Sequence, residues 1–363
     1  MYRKIIRPIL FRLTPEQAHR LVVLALRIVG WIPGAGWLLE RCCALRDERL
    51  EREVFGVKFQ NPIGVAAGLD RSAECFRELG AMGFGFVEVG TITPRAQSGN
   101  PTPRMFRREE ELSVLNRVGL ANRGLEVALR HLRRGYKGVV VGCNIACNAA
   151  TPPEEAPKDF LRCFRNLYQY VDYFTINLSG DDLYDATLTR SSEYILSVLT
   201  PLFDFRRGQN QYRPILVKIS PDMSDEEIDR ITDILIDTPL DGIVAANGTT
   251  QHTDKIGEGR LSGRPMTERS IALVERIHTR SGGNYPIIGV GGMMTAEDVQ
   301  RMLKAGADLV QLYTGLIYEG PKLLKEICLS LLPAEEQPEV QAPAPTEEPS
   351  APSETEEPTT ETE

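Results

Sequence analysis

From residue 61 onward the chain alternates eight times between a short apolar run and a longer amphipathic one. The apolar runs are 62–69 (PIGVAAGL), 86–92 (FVEVGTI), 138–145 (GVVVGCNI), 173–179 (YFTINLS), 215–220 (ILVKIS), 242–247 (GIVAAN), 286–291 (PIIGVG) and 308–314 (DLVQLYT). Runs this short and this uniformly apolar read as strands buried on both faces. Helical stretches such as SDEEIDRITDILID and TAEDVQRMLKAGA follow most of them. Strand and helix alternating eight times predict a (β/α)8 TIM barrel, an α/β fold whose active sites lie at the C-terminal ends of the strands.

Those strand ends are where polar residues and glycines gather: Asp70-Arg71, Thr91, Asn144, Asn177, Lys218, Asn247, Gly291-Gly292 and Tyr313-Thr314. Asparagines closing strands 3, 4 and 6, with a lysine closing strand 5, suit a flat ring system rich in heteroatoms. Late in the chain, Leu261-Ser262-Gly263-Arg264-Pro265, Gly289-Val290-Gly291-Gly292 and Tyr313-Thr314-Gly315 follow strands 6, 7 and 8. Glycines in that order fit a phosphate site built from backbone N–H groups.

The flanks divide the chain into residues 1–49, a barrel over 50–333 and a tail over 334–363. The first segment carries nine Lys or Arg against four acids, and both tryptophans, Trp31 and Trp37. Thr14-Pro15-Glu16-Gln17 has the form of a capping box with proline at the first helical position. Apolar residues at 18, 21, 22, 25, 26 and 29 form one helical stripe, and Ile32–Leu45 offers a second short helix. Basic charge, tryptophans and apolar helix faces suit a helical extension lying on a membrane; a cap packed on the barrel fits the same periodicity. The tail holds ten glutamates and no Lys or Arg, outweighing the chain's net charge of −8. Rich in Pro, Thr and Ser, it reads as disordered. The seven cysteines form no CxxC pair, so reduced thiols and no metal site are expected. The N-terminus lacks a signal peptide's apolar core, and no nucleic-acid partner is expected.

Taken in order, RPILFRLTPEQAH, NPIGVAAGLD, AMGFGFVEVGTITPRAQSGNPTPRMFR, LNRVGL, ILVKISPD, GRLSGRP, PIIGVGG and LVQLYTGLIYEGP resemble the membrane-associated, quinone-linked (class 2) dihydroorotate dehydrogenases, from about Arg7 to Leu332. The resemblance implies an FMN-dependent enzyme of pyrimidine biosynthesis that oxidises dihydroorotate and passes the electrons to a membrane quinone. It implies a peripheral protein on the cytoplasmic face of the inner membrane. Flavin contacts would be Ala67, Gly68, Arg71, Thr91, Asn144, Asn177 and Lys218, with the phosphate against Gly263, Gly292, Tyr313 and Thr314. Substrate contacts would be Arg71, Asn116, Arg117, Val118, Gly119, Leu120, Asn177 and Asn247. His19 and Arg107 match residues of the quinone tunnel.

The catalytic loop departs from the family pattern. Where the family has Asn-hydrophobic-Ser-Ser-Pro-Asn, this chain has Asn177-Leu178-Ser179-Gly180-Asp181-Asp182. The family's base is the second serine, and a glycine at 180 has no side chain with which to accept a proton. Arg71 stands for a lysine and Asp182 for the substrate-binding asparagine. Ala246-Asn247-Gly248 replaces Thr-Asn-Thr, Ala146-Cys147-Asn148 replaces Gly-Lys-Asn, and Leu120 replaces an aromatic residue. Three readings stand open. Dihydroorotate is oxidised with Asp182, Asp181 or Ser179 as base, and Asp182 is the first candidate. Alternatively a diverged flavin oxidoreductase takes another substrate, or a flavin-binding homologue turns nothing over.

Overall fold

The computed structural model describes residues 2–135, 138–179, 186–253 and 257–333. The acidic tail, and with it the expectation of disorder there, lies outside the described residues. The eight apolar runs form eight parallel strands closed into a barrel: β1 (Ile63–Val65), β2 (Phe86–Ile92), β3 (Val140–Ile145), β4 (Tyr173–Asn177), β5 (Ile215–Lys218), β6 (Gly242–Ala245), β7 (Ile287–Val290) and β8 (Leu309–Leu312). Each pairs with its neighbours in sequence, and β8 closes on β1 with Val310 opposite Ile63. Several strands end earlier than their apolar runs. β1 stops at Val65, and the Asp70 carboxylate then turns inward to accept the N–H groups of Glu74 (2.7 Å) and Cys75 (2.8 Å). Asp70 therefore organises the start of the helix Phe76–Ala81, and burial raises its pKa.

Strand alternation sorts the apolar residues into two cores. Val87, Val89, Ile215, Val217, Val310 and Leu312 face the surrounding helices. Phe86, Tyr173, Leu216, Val244, Ile288 and Leu309 fill the barrel. Small residues make room for large ones inside. A Cβ at Gly64 would lie 2.4 Å from the Phe86 ring, and one at Gly142 would lie 2.1 Å from the Tyr173 ring. An antiparallel hairpin, Arg52–Val54 with Val57–Phe59, closes the barrel floor. There Phe55 and Phe59 pack against Tyr173 and Phe86, the first residues of β4 and β2.

After a short helical arm, Tyr2–Ile6 and Arg7–Phe11, the N-terminal segment forms two longer helices, α1 (Pro15–Trp31) and α2 (Ala35–Cys43), bent by 117° at the break. Thr14 Oγ1 accepts the Gln17 N–H at 3.3 Å, and Gln17 Oε1 accepts that of Thr14 at 3.1 Å, completing the capping box. The face of α1 that meets the barrel differs from the stripe expected from sequence. It carries His19, Val23, Leu26 and Gly30. At Gly30 a Cβ would stand 1.8 Å from the movable carboxylate of Glu78. Leu21, Leu24, Ile28 and Trp31 point outward, and Trp31 is 72% exposed. Apolar residues surround this helix, so periodicity alone did not say which face the barrel would take. No single described helix is long and apolar enough to cross a membrane.

Candidate active site

One step above the apolar filling, the inward face of the strands turns polar. Glu88 follows Phe86 on β2, Asn144 follows Gly142 on β3, Thr175 follows Tyr173 on β4, Lys218 follows Leu216 on β5 and Gln311 follows Leu309 on β8. All five are buried. Such groups are tolerated in a barrel only when they satisfy one another. The Glu88 carboxylate accepts from Gln311 Nε2 (2.7 Å), Asn144 Nδ2 and Thr175 Oγ1 (both 3.0 Å) and the Tyr173 hydroxyl (3.2 Å). Burial lowers the pKa of Lys218, and the negative charge of Glu88 opposes that fall.

Hydrogen bonds continue around the barrel mouth. Thr91 Oγ1 donates to Asn144 Oδ1 at 2.7 Å, and Asn177 Nδ2 reaches Thr91 Oγ1 at 3.4 Å. The Ser179 hydroxyl donates to Asn177 Oδ1 at 2.6 Å and accepts from Asn247 Nδ2 at 2.8 Å. Ser179 is completely buried, and its hydroxyl is engaged by these two amides. Gly180, Asp181 and Asp182 lie outside the described residues.

Above this layer opens a cleft of about 170 Å³. Its roof comes from a three-stranded antiparallel sheet, Met105–Arg108, Ser113–Asn116 and Arg260–Gly263. Ala67, Gly68, Arg71, Thr91, Asn144, Asn177 and Lys218 line it, as do Asn116, Val118, Gly119, Leu120 and Asn247. Gly263, Gly292, Tyr313 and Thr314 line it too. Two of these positions demand glycine. Gly263 has φ +99° and Gly292 has φ +76°, and at each a Cβ would lie 2.3 Å from backbone, Leu112 O and Thr267 N respectively. Glycine is required there because neighbouring backbone packs directly behind the cleft wall. Gln311 Oε1, also in the lining, is buried without a hydrogen-bond partner among the described residues.

A second cavity of about 460 Å³ lies between α1 and the barrel. Glu16, His19, Val23 and Arg27 face Leu69, Arg71, Arg104 and Asn122 across it. Arg71 lines both spaces, its Nε donating to Gly68 O at 3.1 Å. His19 is held near the Leu69 carbonyl, Nε2 to O 2.7 Å. Burial first, then the Arg71 charge, push its pKa down to about 4. The ring is therefore neutral near pH 7 and Nε2–H donates to that carbonyl. Glu16 and Arg104 pair at 2.6 Å, pinning α1 to the roof sheet.

Two expected residues lie elsewhere. Arg117 does not line the cleft. One position past Asn116, alternation turns it away, and it donates to Pro103 O at 3.3 Å with its guanidinium over Phe106. Arg107 lies outside the second cavity. It donates to Leu10 O (3.3 Å) and Leu13 O and stacks on Phe11 at 4.4 Å, tying down the N-terminal arm. Arg104, not Arg107, shares the lining of the second cavity with His19. Sequence reasoning also passed over Glu88, Gln311 and Arg260. The signal for the first two was a charged or polar residue inside an otherwise apolar strand, at inward parity. Arg260 gave no local signal, because it reaches the cleft by pairing with Asn116, far away in sequence.

A closed parallel barrel with a buried lysine, a belt of carboxamides and a glycine-backed cleft at its C-terminal mouth has the form of a TIM-barrel enzyme. Residues 49–333 match the family described as dihydroorotate dehydrogenase. The chain belongs to the dihydroorotate dehydrogenase family. It is 42% identical over 337 residues to a dihydroorotate dehydrogenase (quinone) of Christiangramia forsetii, covering 92% of this chain and 99% of that one. A Coxiella burnetii protein of the same name is 41% identical over 340 residues, 90% of this chain and 96% of its own length. Among solved structures, ligand-free DHODH from Eimeria tenella superposes with a TM-score of 0.78 at 32% identity, covering 86% of this chain and 92% of that one. The same protein in complex with ferulenol gives 0.76 at 30% identity, covering 86% and 89%.

Proposed function

We propose that this protein oxidises dihydroorotate to orotate using FMN in the upper cleft, and delivers the electrons to a membrane quinone admitted through the second cavity. The observation that carries the reading is the convergence of Asn144, Asn177, Lys218, Gly263 and Gly292 on one cleft, separated by Arg71 from a cavity under the exposed helix α1. The residues fit the flavin. Gln311 Oε1 offers an unused acceptor, the turns at Gly263 and Gly292 bring backbone to the cleft wall where a phosphate would lie, and Lys218 supplies buried positive charge.

Bound FMN would supply a two-electron acceptor for the hydride leaving the substrate. The chain's residues do the rest. Asn116, Asn177 and Asn247 orient the substrate, and Arg71 meets its carboxylate with a planar fork. Asp182 takes the proton released from the substrate carbon. Lys218 stabilises the negative charge that accumulates next to it. Neutral His19 leaves the second cavity less charged than an imidazolium would, which suits an uncharged quinone head.

Anaerobic mixing with dihydroorotate tests the reading. Bleaching of the bound flavin's visible absorbance is the expected result. Flavin that stays oxidised, yet is reduced by dithionite, would transfer the protein to the second reading, a flavin oxidoreductase for another substrate. Gly180 and Asp182 favour that reading because they alter the substrate end of the loop.

The exposed stripe of α1 and the basic N-terminal charge support peripheral attachment to the cytoplasmic face of the inner membrane. Leu21→Asp, Ile28→Asp and Trp31→Asp lie on the exposed face of α1 and outside the second cavity. They are expected to move the protein from the membrane pellet to the supernatant with its flavin retained. Continued pelleting of the triple variant would remove the membrane role from α1.

A further inference from the structure

The hydrogen-bonded belt has a direction, and Glu88 sets it. A carboxylate can only accept. Asn144 must therefore turn its NH2 toward Glu88 Oε1 (3.0 Å), which leaves its Oδ1 for the Thr91 hydroxyl (2.7 Å). Having donated there, Thr91 Oγ1 can only accept from Asn177 Nδ2 (3.4 Å). The Asn177 carbonyl then takes the Ser179 hydroxyl (2.6 Å), and Ser179 Oγ accepts from Asn247 Nδ2 (2.8 Å). The Asn247 carbonyl ends the series on the Gly248 N–H (2.9 Å). Asn144, Asn177 and Asn247 thus turn their amide oxygens into the belt, and each NH2, with one hydrogen spent there, keeps a second N–H. Gln311, whose NH2 is also held by Glu88, instead keeps its Oε1 free of partners among the described residues.

We infer that Glu88, which does not line the cleft, is a positioning residue: it fixes the orientation of Asn144, Asn177 and Asn247 so that these three present N–H donors to a planar ligand whose facing edge carries acceptors. The inference rests on the reading of this cleft as the FMN and dihydroorotate site and adds what selects the ligand there. An oxidised flavin's pyrimidine edge and the carbonyls of a dihydropyrimidine are both acceptor-rich in this sense. Reversing the belt would turn amide oxygens toward those acceptors and leave both sides unsatisfied.

Glu88→Gln keeps size and shape but supplies an NH2 where only an acceptor stood. If that NH2 faces Asn144, the amide of Asn144 turns over and the reversal propagates. Asn144→Asp in the Glu88→Gln background restores the direction. The new carboxylate accepts from the introduced glutamine amide on one oxygen and from Thr91 on the other.

The readouts are FMN dissociation constants by fluorescence quenching and the visible spectrum of bound FMN, on full-length protein. Glu88→Gln is expected to weaken FMN binding about tenfold or more, as for a buried acceptor facing an acceptor, and to shift the flavin bands. The double variant is expected to regain most of the affinity and the original bands, although Asn144→Asp alone is damaging. A merely structural carboxylate would not be replaced by one on a neighbouring strand. FMN affinity and spectrum unchanged in Glu88→Gln would overturn the inference, as would a double variant no better than Glu88→Gln, whether or not the single variant folds. Failure of the unmodified protein to bind FMN is a distinct result. It removes the proposed function, and this inference falls with it.

Discussion

Replacing Lys218 with methionine is expected to lower kcat for dihydroorotate oxidation by about 10²–10³, the usual scale for removing a preorganised electrostatic group, while the barrel stays folded. Methionine fills the same inward position on β5, above Leu216, and needs no partner. The loss is electrostatic: the layer would keep the buried Glu88 carboxylate but lose the ammonium that faces developing negative charge. The midpoint potential of bound flavin should fall with kcat, because the reduced, anionic form loses its stabiliser. A pH profile separates this from a packing defect. Burial holds the Lys218 pKa below the ordinary lysine value. Wild-type kcat should therefore decline with rising pH before ~10.4, the pKa of an unperturbed lysine. The methionine variant should lack that limb. An unchanged kcat and potential would take Lys218 out of the chemistry.

The second large effect is expected at the loop. Asp182→Asn should reduce kcat by about 10²–10⁴, the range for loss of a positioned general base, and leave FMN affinity unaltered. Gly180→Ser with Asp182→Asn rebuilds the Ser and Asn of the family pattern and should return turnover. The pair separates two explanations of the unusual loop. If Asp182→Asn retains full activity, the base lies elsewhere. If it is inactive and the double variant recovers, an aspartate has taken over a serine's work. Ser179, whose hydroxyl lies between Asn177 and Asn247, is tested by Ser179→Ala in the same assay.

These variants address residues that became legible at different stages. The eight strands could be read from the chain because two-sided burial leaves uninterrupted Val, Ile, Leu and Gly, a signal contained within each short run. Strand polarity, hence the face that holds the site, followed from the alternation with helices. The strand-end residues Thr91, Asn144, Asn177, Lys218 and Asn247 could then be placed together before any coordinates. The glycines at 263 and 292 were legible as a pattern, although the collisions that exclude any other residue there involve Leu112 and Thr267, distant in sequence.

Long-range packing decided the remainder. The roof sheet depends on Asn116 meeting Arg260, a pairing that neither segment announces alone. Which face of α1 meets the barrel follows from the long-range partners of His19, Arg27 and Glu16, namely Leu69 O, Glu74 and Arg104, since apolar residues ring that helix. Arg104 and Arg107 are near neighbours in sequence and carry the same charge. Only the docking of α1 and the N-terminal arm sends one to the second cavity and the other to Phe11. Glu88 reads in sequence as a flaw in an apolar strand. Its four donors come from β3, β4 and β8, and closure of the barrel gathers them into the layer that orients the belt. Local periodicity thus determined the elements and the end of the barrel that acts. The contacts that position the chemistry join residues far apart in the chain, and the tertiary structure alone brings them within bonding distance.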